Sequence, residues 1–156
     1  MTPAVRALRR AGIDFELLEY AHDPASPAYG EEAARALALP ARAVFKTLLA
    51  NIDGKRLVVA LVPVSGSLDL KALARAASGK KASMAEATAA ERATGYVVGG
   101  ISPLGQKQHL EAFIDTSAES LSRVYVSGGR RGLELALAPT DLQRLIAARL
   151  VPLARD

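Results

Sequence analysis

The chain has 156 residues, half of them hydrophobic, which is typical of one globular domain and not of a disordered chain. It contains no cysteine, so disulfides, cysteine-based zinc sites and thiol nucleophiles are excluded. The net charge of +4, with short basic clusters such as Arg130-Arg131, favours a polyanionic partner, although a solvated basic surface would explain it equally well. With neither a signal peptide nor a membrane span evident, we expect a single cytoplasmic domain over residues 1–156 that does not bind a membrane.

The first half of the chain alternates between predicted helices and strands. These elements are a helix from Thr2 to Gly12, a strand at 15–20, a helix over 30–40 that ends at Pro40, and a β-hairpin over 44–64. A threonine N-cap followed by proline at the first helical position favours the first helix. The hairpin has the clearest pattern, because runs rich in valine and leucine flank the Asp53-Gly54 turn.

The second half continues the alternation. Its predicted elements are helices over 68–79 and 83–95, strands at 96–98 and 113–115, a hairpin over 123–138, and a last helix that begins at Thr140. Two capping boxes, Ser83 with Glu86 and Thr140 with Gln143, predict where the later helices begin. Helices interleaved with hairpins predict a mixed α/β domain whose strands are neither all parallel nor all antiparallel.

Lys46 is the most unusual residue of the first hairpin. Phe45, Thr47 and Leu49 share one face of their strand, and Lys46 lies among apolar neighbours on the other. A lysine on an edge strand that extends its ammonium group into water would explain this pattern. A lysine that points into a cleft would instead supply a fixed positive charge for a phosphate or a developing oxyanion.

The other candidate side chains form no recognisable catalytic or metal-binding pattern. His22 and His109 lack the spacing of a metal-binding motif, so we expect no metal. Ser127 has no histidine partner that the sequence identifies, which favours a turn residue over a nucleophile. Tyr20 ends its strand, where a rim aromatic with its hydroxyl in water is the simple interpretation.

Two glycine-rich loops could bind an anion or a carbonyl oxygen through their backbone N–H groups. GGISPLGQK at 99–107 has two glycines at the separation of a Walker phosphate loop, but Gln106 occupies the lysine position and no hydroxyl follows. SGGRRG at 127–132 is the second loop. Each loop alone is more often a simple turn, so neither identifies a ligand by itself.

Taken together, several segments carry a family resemblance. They are the N-terminal MTP, the stretch Tyr20-x-His22-Asp23, FKTLL at 45–49, TGYVVGGISPLGQK at 94–107 and YVSGGRRGLEL at 125–135. In order and spacing they resemble the YbaK family of aminoacyl-tRNA deacylases, which is related to the editing domain of bacterial prolyl-tRNA synthetase. The resemblance covers essentially the whole chain. It implies a mixed α/β fold with a curved, largely antiparallel central sheet flanked by helices.

The resemblance also implies an activity. A family member of this kind is a free-standing editing enzyme that hydrolyses mischarged tRNA(Pro), above all Cys-tRNA(Pro), without a metal or cofactor. The cysteine thiol of the substrate attacks its own ester carbonyl and releases a cyclic thiolactone. The implied partners are the acceptor end of misacylated tRNA(Pro) and prolyl-tRNA synthetase.

The resemblance assigns site residues by position. Lys46 and Tyr20 match the family's catalytic lysine and tyrosine, with Lys46 either positioning the substrate or stabilising charge. The glycine loop at 99–105 would form a wall of the aminoacyl pocket, with backbone amides that hold the ester carbonyl and the terminal adenosine. The expected substrate-binding residues are Phe45, Thr47, Gly99, Gly100, Ile101, Ser102, Pro103, Leu104, Gly105, Ser127, Gly128, Gly129 and Glu134, the last at a position that varies in the family.

Other functions stay open at this point. A deacylase with the same fold could act on Ala-tRNA(Pro) or on another small misacylated tRNA, because pocket volume decides between them. A non-catalytic module that binds tRNA or a synthetase through the basic clusters is a second alternative. A nucleotide-binding protein is disfavoured, because the phosphate loop lacks its lysine and hydroxyl in register.

Overall fold

The fold is built from a five-stranded, a three-stranded and a two-stranded β-sheet with surrounding helices, which the computed structural model describes over residues 1–26 and 29–156. The α-helices are α1 (Pro3–Ala11), α2 (Tyr29–Ala36), α3 (Leu70–Ala76), α4 (Ala87–Thr94) and α5 (Pro139–Leu145), with 3-10 helices at Ala41–Ala43 and Thr116–Ser120. The strands are β1 (Glu16–Glu19), β2 (Phe45–Ile52), β3 (Arg56–Pro63), β4 (Ser67–Leu68), β5 (Ala82–Met84), β6 (Glu111–Asp115), β7 (Val124–Ser127), β8 (Leu133–Leu137), β9 (Arg149–Val151) and β10 (Ala154–Arg155). Every helix in the described ranges is too short or too polar to cross a membrane.

The central sheet has the strand order β5-β2-β3-β6-β9 over the described residues. β5, β2 and β3 are antiparallel neighbours, whereas β6 runs parallel to β3 and β9 runs parallel to β6. The second sheet has the order β1-β8-β7 and is antiparallel throughout. This mixture confirms the predicted mixed α/β fold. Antiparallel strand pairs outnumber parallel ones in the described chain, whereas the central sheet itself has two pairs of each kind.

Two local predictions from the sequence are confirmed in detail. The Thr2 side chain accepts a hydrogen bond from the Val5 amide at 3.3 Å, and α1 ends at Gly12 in the left-handed conformation. β2 and β3 form the predicted hairpin, with Asp53 and Gly54 in the turn at φ angles of 55° and 67°. Positive φ at both central residues matches the twist of the flanking strands.

The predicted starts of the later helices are wrong. Ser83 lies in β5, where it pairs with Asn51, and α4 begins only after Glu86, whose side chain makes no capping bond. α5 begins at Pro139 instead of Thr140, with Ala138 at the N-cap. In both cases a competing feature decides, because pairing with β2 draws the first segment into the sheet and proline fixes the first helical position.

Two predicted boundaries also differ from the structure. Residues 96–98 form a turn instead of a strand, and the Gly100 amide donates to the Val97 carbonyl at 2.8 Å. α2 ends at Ala36 instead of Pro40, because Ala38 takes a φ of 54° that no helix continues. The chain then reaches β2 through the 3-10 helix at Ala41–Ala43.

The core lies on both faces of the central sheet. Alternate residues of β2 and β3 point to opposite faces, so one set packs toward the second sheet and α1 while the other packs under α3. The first cluster includes Leu8, Leu49, Leu61, Ile114, Val126 and Leu135, and the second includes Ile52, Val58, Val62, Leu73 and Phe113.

The two sheets meet where β2 begins. A single parallel bridge between Val44 and Tyr125 joins the start of the central hairpin to β7 of the second sheet. The Val64 amide donates to the Val44 carbonyl at 2.8 Å, which holds the open end of the hairpin together at this seam. Residues that follow Val44 therefore face the end of β7 and the start of β8.

Candidate functional site

A cavity of about 320 Å³ lies at this seam, between the two sheets and α2. That volume is within the range of about 300–1,000 Å³ that small-molecule sites usually occupy. Several residues that the sequence predicted for the site line it, namely Tyr20, Phe45, Lys46, Thr47, Gly99, Ile101, Ser127 and Glu134. Segments far apart in the chain thus meet at one place.

Lys46 lies half-buried on the wall that β2 contributes. It is opposite Val62 of β3, and α2 lies beside it, because a Cβ added at Gly30 would be 3.9 Å from the Lys46 Cβ. Within the described chain, no carboxylate lies at salt-bridge distance from the Lys46 ammonium group. The lysine charge is therefore available to a ligand in the cavity.

Glu134 is a carboxylic acid in the same cavity and is only 6% exposed. It is in β8, opposite Leu18 of β1 and Ser127 of β7, so its side chain is enclosed by the second sheet. Burial raises the pKa of Glu134 to about 8, which keeps most of this carboxyl group protonated at neutral pH. Its Oε2 atom has no hydrogen-bond partner among the described residues.

Two further residues with hydroxyl groups line the cavity. The Thr47 Oγ1 atom is buried and has no hydrogen-bond partner in the described chain. Burial, with the nearby charge of Glu134, raises the pKa of Tyr20 above its usual value of 10.0, so its hydroxyl stays protonated. Because buried polar groups are normally paired, the lone Thr47 and Glu134 atoms are unusual features of the cavity wall.

The first glycine-rich loop divides into two parts. Gly99 and Ile101 line the cavity, but the Gly100 amide is already used in the turn with Val97. The remaining predicted residues are not brought to this cavity, because Ser102 and Leu104 are buried and Pro103, Leu104 and Gly105 line a separate hollow beside α1. The second part therefore anchors the loop to the N-terminal helix.

The second glycine-rich loop contributes one side chain to the cavity. Ser127 lines it, and the Ser127 hydroxyl accepts a hydrogen bond from the Gly129 amide at 3.2 Å. Gly128 and Gly129 do not line the cavity, and the Thr2 hydroxyl donates to the Gly128 carbonyl. Ser127 thus ends β7, and its hydroxyl group supports the turn that follows.

Neither His22 nor His109 lines this cavity. His22 Nδ1 lies 2.7 Å from Glu32 Oε1, and the Asp23 amide donates to Glu32 Oε2 at 2.8 Å. The hydrogen bond with His22 lowers the pKa of Glu32 and ties the segment after Tyr20 to α2. No histidine is among the described residues that line the cavity, and no cluster of three metal-ligating side chains is present in the described ranges.

Sequence reasoning missed several lining residues, among them Tyr29 and Glu31 of α2, and it missed Arg131, which packs against Tyr29. Tyr29 lines the cavity one residue before the predicted start of α2, and the Arg131 guanidinium lies 4.5 Å from the centre of its ring. Arg131 also donates to the Val98 carbonyl, at 2.7 Å from Nη2 and 3.2 Å from Nε. The Arg130-Arg131 cluster and an aromatic beside Gly30 were the available signals, but neither indicates a contact between α2 and the second glycine-rich loop. Val44, Leu48 and Val64 complete the apolar wall.

This arrangement is similar to that of several known proteins. The model of the aminoacyl-tRNA editing domain family matches residues 23–145. EbsC of Enterococcus faecalis, named as a Cys-tRNA(Pro)/Cys-tRNA(Cys) deacylase, is 34% identical over 146 residues, which cover 92% of this chain and 87% of that protein.

Two crystal structures share the fold over nearly their full lengths. One is described as a trans-editing enzyme for prolyl-tRNA synthetase and has 25% identity and a TM-score of 0.85, covering 100% of this chain and 99% of that chain. The other, the hypothetical protein APE2540, has 22% identity and a TM-score of 0.87, covering 98% of this chain and 99% of that chain.

Proposed function

Because the chain belongs to the aminoacyl-tRNA editing domain family, we propose that it is a trans-editing deacylase that hydrolyses the ester bond of mischarged Cys-tRNA(Pro). The observation that carries the proposal is the composition of the cavity. It brings the Lys46 charge, the Tyr20 hydroxyl and the buried Glu134 carboxyl together, and its described walls hold no histidine that could activate a serine. A substrate that supplies its own nucleophile suits such a site.

The reaction proceeds through the thiol of the misacylated cysteine. Its sulfur forms a bond to the ester carbonyl carbon, the bond from that carbon to the ribose oxygen breaks, and the thiol proton ends on the ribose oxygen. The products are a cyclic thiolactone, which water opens to cysteine, and tRNA with a free hydroxyl. Holding sulfur and carbonyl in contact is the main task of the protein, because intramolecular attack gains most from orientation.

The cavity residues divide the remaining work. The Lys46 ammonium group stabilises the negative charge that develops on the carbonyl oxygen or fixes the adjacent ribose and phosphate. The protonated Tyr20 hydroxyl donates a hydrogen bond to the ester. Glu134 binds the α-amino group of the substrate, since a carboxyl with a pKa of about 8 and an α-amino group with a pKa of roughly 7.7–8.0 can form an ion pair by transferring one proton.

The need for such an enzyme follows from the limits of binding selectivity. Cysteine and alanine are no larger than proline, and a pocket distinguishes small apolar differences by only about 1–3 kcal/mol. A second hydrolytic site supplies the missing discrimination. The substrate is a tRNA, and we propose that residues 1–156 act as one editing domain in the cytoplasm, in contact with prolyl-tRNA synthetase.

The test measures deacylation of Cys-tRNA(Pro), Ser-tRNA(Pro) and Ala-tRNA(Pro) by the wild type and by two lysine variants. Wild-type protein is expected to deacylate Cys-tRNA(Pro) but not Ser-tRNA(Pro), because a hydroxyl is a much weaker nucleophile than a thiol. Lys46→Ala should lose at least about a hundredfold in rate, as expected for removing one charge-stabilising group. Lys55→Ala, in the exposed turn of the same hairpin, is the matched control and should keep full activity.

Each other outcome selects an alternative. Preference for Ala-tRNA(Pro) would assign the chain to a deacylase of another small misacylated tRNA. Binding of tRNA without hydrolysis would identify a non-catalytic module. Full activity of Lys46→Ala would remove that lysine from the mechanism.

A further inference from the structure

The Arg131 guanidinium is held in one position at the mouth of the cavity. It donates twice to the Val98 carbonyl and lies over the Tyr29 ring at 4.5 Å from its centre. Gly99 makes this packing possible, because an added Cβ would lie 2.5 Å from Arg131 Nε and 2.9 Å from the Tyr29 ring. An arginine fixed in this way loses little further conformational freedom when it binds a ligand.

The charge of Arg131 is not neutralised within the described chain. Several other arginines are paired, with Arg130 at 3.2 Å from Glu19 and Arg123 at 3.0 Å from Glu16. No carboxylate of the described residues lies within 4 Å of the Arg131 nitrogens. Its remaining N–H groups point to no protein acceptor in the described ranges, so the guanidinium can bind an external anion.

The position of Arg131 determines which anion it meets. Its two contacts, Tyr29 and Val98, both line the cavity, so the guanidinium is at the rim. When an aminoacyl group fills the cavity, the nucleotide that carries it lies at the cavity mouth, of which this rim forms one side. A planar guanidinium binds phosphate oxygens through paired hydrogen bonds, which a lysine cannot reproduce.

On these grounds we propose that Arg131, held on Tyr29, binds the phosphodiester backbone of the tRNA acceptor strand beside the aminoacylated nucleotide. The inference rests on the proposed function for the identity of the RNA. It assigns to the second glycine-rich loop a task that is separate from the ester chemistry at Lys46. The partner group is one backbone phosphate, so the contact carries no sequence information.

Binding of uncharged, fluorescently labelled tRNA(Pro) tests the proposal without using catalysis. Arg131→Ala should weaken binding about tenfold, as expected for losing hydrogen bonds to a charged group. The plot of the logarithm of affinity against the logarithm of salt concentration should become shallower by about 0.7, the value for one single-strand phosphate contact. Arg131→Lys should restore the salt slope but only part of the affinity.

A purely structural role for Arg131 would not change the salt slope. Arg130→Ala is the matched control, because it removes a neighbouring charge that Glu19 already offsets, and it should change affinity and slope less than Arg131→Ala does. In deacylation assays, Arg131→Ala should raise KM for Cys-tRNA(Pro) more than it lowers kcat.

Three results would overturn the inference: no tRNA binding by the wild type, an unchanged salt slope in Arg131→Ala, or equal effects of Arg131→Ala and Arg130→Ala. Equal effects would indicate diffuse electrostatic attraction instead of one phosphate contact. Failure of the proposed function gives a different result. In that case the wild type binds tRNA with a salt slope that depends on Arg131 but hydrolyses none of the charged tRNAs.

Discussion

Replacing Glu134 by glutamine should stabilise the protein at neutral pH. In the folded chain this carboxyl group is buried beside Ser127 and keeps its proton up to a pKa of about 8, whereas in the unfolded chain it ionises near its usual value of 4.5. The folded state therefore binds the proton more tightly, and the free energy of unfolding falls as the pH rises from 4.5 to about 8. Glutamine has nearly the same shape and does not ionise.

The size of the effect follows from the two pKa values. With 1.36 kcal/mol for each pKa unit, ionisation of Glu134 in the unfolded chain lowers the free energy of unfolding of the wild type by about 1 kcal/mol at pH 5 and by roughly 3 kcal/mol at pH 7. The stability gained by Glu134→Gln should therefore grow by about 2–3 kcal/mol between these pH values. The other titratable groups contribute to the pH dependence of stability in both proteins alike, so their contributions cancel in the comparison.

Urea unfolding at pH 5 and pH 7 measures this difference directly. Glu119→Gln removes an exposed carboxylate and is the control for the loss of one negative charge. If the gain from Glu134→Gln is the same at both pH values, within about 0.5 kcal/mol, the reasoning about the buried carboxyl group is wrong. The variant should also bind substrate more weakly, because it cannot form an ion pair with the α-amino group.

Other substitutions test the cavity rim and its supports. Gly99→Ala should destabilise the protein by about 1–3 kcal/mol and lower activity, because its φ of 92° and its close neighbours leave no room for a Cβ. Gly54→Ala, where an added Cβ meets nothing within 4 Å, should cost less and leave activity intact in the same assays. Glu32→Gln should lower the free energy of unfolding above pH 4.5, the usual pKa of this group, because the folded chain holds the Glu32 carboxylate at a lower pKa. The wild type loses this stability as the pH falls through the folded pKa. Acid titration of both proteins should therefore show a difference in stability that disappears at low pH. Tyr96→Phe should cost about 1–3 kcal/mol in urea unfolding, because its hydroxyl donates at 2.6 Å to a buried loop carbonyl.

Local patterns predicted well wherever the deciding interaction was also local. The central hairpin and α1 depend on residues next to each other, namely Asp53-Gly54 in one case and Thr2-Pro3 in the other, and both are confirmed. The capping box at Ser83 was wrong because that residue pairs with Asn51, more than thirty positions earlier in the chain. A sequence pattern does not show which strand will compete for a segment.

The same distinction applies to the site. Lys46 was indicated by a charged residue among apolar neighbours and by the family resemblance, and Glu134 by the resemblance alone. The structure places both at one cavity. Tyr29 and Arg131 were missed because their contact joins α2 to a loop about a hundred residues later. The resemblance also predicted that the whole GGISPLG loop forms one wall of the aminoacyl pocket, whereas the second half of the loop packs against α1.

The location of the cavity at the seam between the sheets links activity to folding. Its walls come from β2, α2, both glycine-rich loops and the end of β1, and a single bridge between Val44 and Tyr125 joins the sheets there. A partly folded chain that keeps either sheet alone would have no site. Hydrolysis therefore reports on the docking of the two sheets, and a bound ligand should slow hydrogen exchange in both of them together.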